Sequence, residues 1–553
     1  GLAGLIRFYQ IEKTENGYVG KDFKGFEYKV FDTPEVLEFM YNVNKKYEVK
    51  NEEYVREILS ETKLWGEDLS VYTGMVDEVC QNLKNMGNKA IQILQDTPKG
   101  HKIAIKNIDK DNDVLKYGYS IGKAKEDIKV GQWVHSHNIK TGLDGILEYK
   151  FESNKLENNV KENDIYFKGY VRENGDIGIR NEIWIINTVG CINKTCAILA
   201  REGNKLINDK VDGVHHFEHP HGCSQLGDDL DNTRKILSGL VNHPNAAGVL
   251  VVGLGCENNT LESFKAILEP INNNRVKFLN IQDVENEIEE GKKLISELVE
   301  YASKFEREDV HISKLKIGLK CGGSDAFSGI TANPLLGRLS DELVSLGGTS
   351  IQTEVPEMFG AETILFERSL TEEVFNNSVD LINDFKKYFI RYDQVIYENP
   401  SPGNKKGGIT TLEEKSLGCV QKGGSAIVTD VLKYGEKSTK NGLNLISGPG
   451  NDQIAVTVLA ASGAHMVLFT TGRGTPFGGV VPTLKISTNS DLYNNKKHWI
   501  DFNAGQILEN KDARKVDEEF FNLIVNTASG NYFAHNAVNG YKEIAILKDG
   551  VTL

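Results

Sequence analysis

Short apolar runs that stop at a Gly-rich turn constrain this chain more than any other feature. IWIINTVGC ends at Cys191, VLVVGLGCEN carries Cys256, and KIGLKCGGSDAFSG breaks at Cys321; HPHGCSQLGDD and TTLEEKSLGCVQKGG set Cys223 and Cys419 beside similar turns. A strand buried on both faces reads as a continuous apolar run, and ligands bind at the carboxyl ends of such parallel strands. At least three of these thiols are therefore expected on one sheet edge, beside His219, His221, Glu257 and Asp325. That combination predicts an enzyme with a polar cleft suited to soft-metal or acid–base chemistry.

The alternation extends through most of the chain. EIWIINTV, GVHHF, AGVLVVGL and RVKFLNI read as strands separated by helical stretches, which predicts an α/β domain over 166–310. A second α/β unit, over 311–553, begins at KLKIGLK and continues through GTSIQTEV, GLNLISGPG and AHMVLFTTGRG. Both sheets are expected to be mostly parallel. Ahead of them, GHKIAIKNI, NDVLKYG and GQWVHSHN are short β-like runs that predict a small β-rich module over 96–152, followed by a polar linker. Residues 1–95 carry apolar residues at helical spacing in PEVLEFMYNVNKKY, NEEYVREILSETKLW and MVDEVCQNLKNMGNKAIQIL, and predict a helical appendage. A chain of 553 residues is too long for one core, so several domains are required.

Composition narrows the function. No stretch of 18 apolar residues is present, which argues against a membrane-spanning helix, and GLAGLIRFYQ lacks the pattern of a secretory signal. The chain does not begin with Met, so processing or a longer reading frame is expected. A net charge of −14 disfavours nucleic acid and means that an anionic substrate must meet local cations. Seven irregularly spaced cysteines fit a reducing cytoplasm better than a disulfide framework.

Each motif has an ordinary alternative. Cys191, Cys223, Cys256 and Cys321 are candidate metal ligands, whereas a lone buried Cys is usually a small hydrophobe. His219, His221 and Cys223 form an H-x-H-x-C run whose alternate residues face one way if the segment is extended. His135 and His137 in WVHSHN repeat that alternation; a polar strand face is the ordinary reading and a substrate contact the functional one. Turns holding Ser324, Asn451 and Asp452 would present backbone N–H groups to an anionic oxygen, and Arg473 in TTGRGTP could fork onto a carboxylate. Thr411 and Glu414 form a T-x-x-E capping box. Lys415 follows on that helix, ordinarily as an exposed lysine, functionally as a base or carboxylate partner. No P-loop, G-x-S-x-G, H-E-x-x-H or complete dinucleotide fingerprint is present.

In order along the chain, GHKIAI, WVHSHN, GYVRENGDIGIRN, TVGCIN, HPHGCSQLGDD, VVGLGCEN, KCGGSDAFSGITANP, TEVPEMFGAE, GGITTLEEKSLGCVQKGG, SGPGND and TTGRGTPFGG closely resemble the altronate and galactarate dehydratase family of sugar-acid hydro-lyases. The spacing is more similar to the altronate branch. The resemblance implies a β-clip (SAF) module, a larger α/β catalytic part, and dependence on a divalent metal, Fe(II) first with Mn(II) as an alternative; the several converging thiols make an Fe–S cluster the runner-up. It also implies dehydration of D-altronate to 2-keto-3-deoxy-D-gluconate.

That chemistry needs a base for the proton α to the carboxylate, stabilisation of the enediolate, and an acid for the leaving hydroxyl. The expected ligands are His219, His221, Cys223 and Cys256, with the histidine run also supplying the base. Asp325 or Glu357 would be the acid, and Arg473 or Lys422 would hold the carboxylate. The expected partner is a small sugar acid, with self-association left open. Residues 1–95 instead resemble the C-terminal helical region of tagaturonate and fructuronate reductases, through LSETKLWGEDLSVYTGMVDEVCQNLKNMG. That likeness raises an NAD-linked oxidoreductase as a second reading, and a catalytically silent sugar-acid-binding protein as a third. It also implies a β-clip that lacks its opening strands.

Overall fold

A computed structural model describes residues 93–151, 160–509 and 512–553, and the backbone of 10–14 and 17–21. The chain divides into two compact units, residues 1–95 and 96–553. In the first unit, Gln10–Thr14 pairs antiparallel with Gly17–Lys21, so this segment is not helical throughout as expected. The three predicted helices lie outside the described residues, apart from Ile93 and Leu94, which are not helical.

The second unit opens with short antiparallel strands. Lys102–Ile103 pairs with Trp133–Val134, and Tyr119–Ala124 lies between Asp113–Lys116 and Ile139–Lys140. Val114, Ile121, Ala124, Val134 and Ile139 turn inward to form its core, as alternating strand sequence requires. At Gly122 the strands come so close that a Cβ would sit 2.4 Å from the Lys140 carbonyl oxygen, at a φ of +123°. Only glycine meets both demands.

This module docks on the Leu412–Val420 helix. Glu414 accepts hydrogen bonds from Lys102 Nζ (2.7 Å), Lys116 Nζ (2.9 Å) and the Thr410 N–H (2.8 Å). Glu413 accepts from Thr141 Oγ1 (2.8 Å) and the Gly142 N–H (2.7 Å). The capping box is therefore half formed: Thr411 caps the Glu414 N–H, while the Glu414 carboxylate is drawn to the module's lysines. Glu414→Ala would strand two half-covered ammonium groups. It is expected to cost about 2–3 kcal/mol, discounted from the buried-pair range because both lysines keep some water. A urea melt checks this; an unchanged midpoint would mean that the pairs contribute nothing.

Two parallel sheets follow. The smaller has the order Gly213–His216, Glu182–Asn187, Ala246–Gly253, Val276–Asn280. The larger has the order Val428–Leu432, Gly442–Ile446, Thr349–Gln352, Lys316–Cys321, Met466–Thr471, Thr483–Ser487, Phe502–Asn503. A three-stranded antiparallel sheet of Arg307–His311, Tyr166–Val171 and Ile177–Gly178 accompanies them. In each parallel sheet the strand that comes first in sequence lies inside, with the next strand on one side and a later one on the other. Such reversals open crevices at the carboxyl ends. The Gly227–Val241 and Asp452–Ala461 helices join the two halves, and Gly239 packs so tightly that a Cβ would lie 2.5 Å from the Ala461 carbonyl oxygen. One hydrophobic cluster spans both sheets, including Trp184, Leu237, Val251, Val458 and Phe469. Among the described residues, no helix is long and apolar enough to cross a membrane.

Candidate active site

Cys321 is the last residue of the strand at the larger sheet's switch point. The chain then turns through Gly322, where a Cβ would collide with the Asp452 carboxylate at 2.6 Å. The glycine thus lets Asp452 close over the strand end. Beneath lies a layer of compensated charge. Lys320 and Lys422 are fully buried, and both donate to Glu354, Lys422 at 2.8 Å. Lys320 also pairs with Asp452 at 2.9 Å. Glu354 accepts from the Cys321 N–H at 3.0 Å and holds a left-handed backbone, φ 71°, uncommon for a residue with a side chain.

Above that layer sits a second pair. Glu357 Oε1 accepts from Lys415 Nζ at 2.8 Å and from Asn399 Nδ2 at 3.3 Å; Glu357 Oε2 accepts from the Cys419 thiol at 3.1 Å. Burial alone would raise the Glu357 pKa, but the Lys415 and Lys320 ammonium groups outweigh it and hold the carboxyl at about 2. Burial would lower Lys415, and Glu357 more than reverses it, so Lys415 stays protonated. The Cys321 and Cys419 sulfurs are 3.3 Å apart. The Cys419 hydrogen bond, helped by Lys422 at 3.1 Å, favours the thiolate at Cys321 and pushes Cys419 the other way. Cys321, Glu357, Lys415, Asn399, Lys405 and Asp452 line one cleft of about 470 Å³.

The other expected residues fall into three places. Arg473 is exposed and close to the cleft rim: a Cβ on Gly403 would be 3.8 Å from its Nε. Asn451 caps the Asp452–Ala461 helix. Lys422 lies under the cleft floor rather than facing it. Asp325 is half-buried and accepts from the Ser328 N–H (3.0 Å), Thr488 Oγ1 (2.9 Å) and Asn489 Nδ2 (3.2 Å), pinning its loop to the strand end at Ser487. Burial raises its pKa despite these donors. Ser324 presents a buried hydroxyl with no hydrogen-bond partner into a narrow space shared with Asp325 and Lys415. His135 stacks on Trp133 in the small antiparallel module and meets Thr410 Oγ1 at 3.0 Å; burial pushes its pKa down to about 4. His137 is exposed and tilted against the same ring.

The H-x-H-x-C run lies in the smaller α/β domain. His219 Nε2–H donates to the Asn187 carbonyl at 2.9 Å, and its Nδ1 accepts the His221 N–H at 3.2 Å, so both ring nitrogens are committed to main chain. His221 Nδ1 meets Gln225 Nε2 at 3.3 Å. Cys223 and Cys256 are exposed. Among the described residues, the one group of three or more His, Cys, Asp or Glu ligand atoms within 4.8 Å of one another is Cys321, Glu357 and Cys419. A divalent ion fits neither place as built. His219 has no lone pair to offer, and the Cys321–Glu357–Cys419 donors already face Lys415 and Lys422. The residues that sequence reasoning missed are Lys320, Glu354 and Asn399. A lysine inside the apolar run KIGLKC was the available signal, since a buried lysine demands a carboxylate.

The family described as D-galactarate/altronate dehydratase, C-terminal, matches residues 312–552. D-galactarate dehydratase/altronate hydrolase, second domain, matches 169–303, and the altronate/galactarate dehydratase SAF domain matches 72–142. The SAF match begins before the expected boundary at 96 and takes in part of the segment read as reductase-like. The reductase resemblance is unsupported and is withdrawn. Altronate dehydratase of Bacillus subtilis is 54% identical over 467 residues, covering 84% of this chain and 94% of that protein. Altronate dehydratase of Escherichia coli is 50% identical over 471 residues, covering 85% and 95%. Galactarate dehydratase (L-threo-forming) of Escherichia coli is 31% identical over 457 residues, covering 80% and 87%.

Proposed function

The chain belongs to the altronate and galactarate dehydratase family, and on that premise we propose that it is a hydro-lyase converting D-altronate to 2-keto-3-deoxy-D-gluconate. The observation that carries the mechanism is the Glu357–Lys415 pair in the cleft, one partner charged as base and the other as acid, 2.8 Å apart. Glu357 takes the proton from C2. Lys415 gives a proton to the hydroxyl leaving C3, which departs as water. The enol so formed tautomerises to the 2-keto acid. Glu357 then carries a proton and Lys415 lacks one, and transfer across their hydrogen bond restores the starting pair.

A carboxylate held at a pKa of about 2 is a weak base. A bound sugar acid corrects this by drawing the Lys415 ammonium toward its own oxygens, which loosens the hold on Glu357. Because base and acid are adjacent, both protons move on one face of the substrate, so the elimination is syn. Arg473 at the rim supplies the local cation that an acidic chain needs for the carboxylate. The reducing cytoplasm is the matching compartment, since two buried thiols in contact sit beside the reacting pair.

Arg473→Lys is expected to lower kcat/KM by about tenfold, roughly 1.4 kcal/mol, because an ammonium cannot reproduce a forked contact. Unchanged kinetics would transfer the role to Lys405. The function itself is tested by incubating the protein with D-altronate and assaying 2-keto acid; sustained absence of product would reject it.

A further inference from the structure

The mechanism above uses the carboxylate and the ammonium of the cleft but not the two thiols beside them. Cys321 ends its strand at the cleft, and Cys419 sits near the end of the Leu412–Val420 helix. The two are distant in sequence, yet both are buried and their sulfurs lie 3.3 Å apart. A disulfide holds its sulfurs about 2.05 Å apart, so closing the gap takes a shift of about 1.2 Å.

The charges around the pair are the second observation. Lys422 Nζ lies 3.1 Å from the Cys321 sulfur, and the Cys419 thiol reaches Glu357 Oε2 at 3.1 Å. One sulfur thus faces a cation while its neighbour keeps a proton. Thiolates are the reactive form of cysteine, and they occur in electropositive surroundings of this kind. Cys196 shows the contrast: it is buried within an apolar cluster, where burial pushes its thiol up to about 12. Access completes the arrangement. Cys321 lines the cleft of about 470 Å³, which admits a solute as small as a peroxide.

We propose that Cys321 and Cys419 are an oxidation site, at which a hydroperoxide forms a disulfide that switches off the adjacent acid–base pair. The Cys321 thiolate attacks a peroxide oxygen; an S–O bond forms, the O–O bond breaks, and the departing hydroxide takes a proton from solvent. The Cys419 sulfur then attacks the Cys321 sulfenic acid; the S–S bond forms, the S–O bond breaks, and the hydroxyl leaves as water with the Cys419 proton. The two sulfurs together lose two electrons, and hydrogen peroxide is reduced to two waters.

The consequence falls on both reacting groups. Glu357 Oε2 loses its thiol donor, and Lys422 loses the sulfur charge it faces. Lys415 lies one turn before Cys419 on the same helix, so a pull on the Cys419 end reaches the acid as well as the base. The control of turnover rests on the reading of the cleft given above; formation of the disulfide does not.

The full-length protein, reduced and then freed of reductant, is treated with hydrogen peroxide. One portion is alkylated under denaturing conditions and digested for peptide mass mapping; another is assayed with D-altronate before and after dithiothreitol. A cross-linked peptide joining Cys321 to Cys419 is expected, with turnover lowered at least about tenfold and restored by the dithiol, since a displaced base or acid forfeits that much or more. In Cys419→Ser the same dose should leave Cys321 as a sulfinic acid, and dithiothreitol should restore nothing. Both thiols recovered alkylated, over-oxidised Cys321 beside a free Cys419 in the unmutated protein, or a Cys321–Cys419 bridge with undiminished turnover would overturn the proposal. Untreated protein inactive on D-altronate would reject the reaction, and the mapped peptide would still decide the bridge.

Discussion

Lys415→Met is expected to reduce kcat by at least about a thousandfold while leaving the fold in place, and Glu357→Gln to do the same, since a positioned acid or base contributes about 10²–10⁴ in rate. The two losses should not multiply. Each partner sets the other's protonation, as the depressed carboxyl and the raised ammonium show. Removing one therefore disables both, and the double variant should be about as slow as either single one. Stopped or steady-state kinetics on all three variants read this directly. Fully multiplicative losses would mean that the two side chains act separately. Burial adds a cost in stability, because either change leaves a buried charge unpaired. Methionine for lysine and glutamine for glutamate keep the volume, and circular dichroism separates lost chemistry from lost structure.

Acid is expected to destabilise the protein steeply between about pH 6.5 and pH 4. Burial pushes both His219 and His243 down to about 4 and holds His465 well below the ordinary imidazole value. Each donates one ring N–H or accepts with one ring nitrogen in a way that requires the neutral ring: His243 Nε2–H donates to the Ala464 carbonyl at 3.0 Å and its Nδ1 accepts the Asn245 N–H at 3.1 Å. His465 Nδ1 accepts the Lys316 N–H at 3.1 Å. Their folded pKa values lie below the unfolded one, so the unfolded chain binds protons that the folded chain refuses. Stability is therefore fully present above about pH 6.5 and is lost as pH falls toward 4, by up to about 3 kcal/mol for each of His219 and His243. Glu182 does not contribute in this window: burial would raise its pKa, but Lys542 outweighs that and holds it at about 2. Urea midpoints at a series of pH values check the slope; a midpoint that stays level from pH 7 to pH 5 would contradict it.

The sequence was informative about strand ends and much less so about side-chain orientation. The run ending at Cys321 identified both a buried parallel strand and the place where the cleft opens, because burial on two faces leaves a contiguous apolar signature. The H-x-H-x-C reading assumed an extended segment, yet residues 219–223 form no strand, and tight Gly222 folds them against Thr188. That turn commits His219 to main chain, which spacing alone cannot reveal. Lys415 looked like an exposed helix residue because local periodicity carries no information about what covers a helix. The β-clip module engages Glu413 and Glu414, and Glu357 closes over Lys415 from another element. Lys320 and Glu354 were illegible for the same reason: their pairing joins residues distant in sequence across two neighbouring strands' ends.

The most direct measurement is a proton NMR time course of the protein with D-altronate in deuterium oxide. The account predicts loss of the C2 proton together with appearance of a 2-keto-3-deoxy acid carrying deuterium at C3, and no conversion by the Glu357→Gln, Lys415→Met double variant. Conversion at the wild-type rate by that variant would contradict the assignment of the elimination to this pair, and an unchanged substrate with the wild-type protein would contradict the reaction itself.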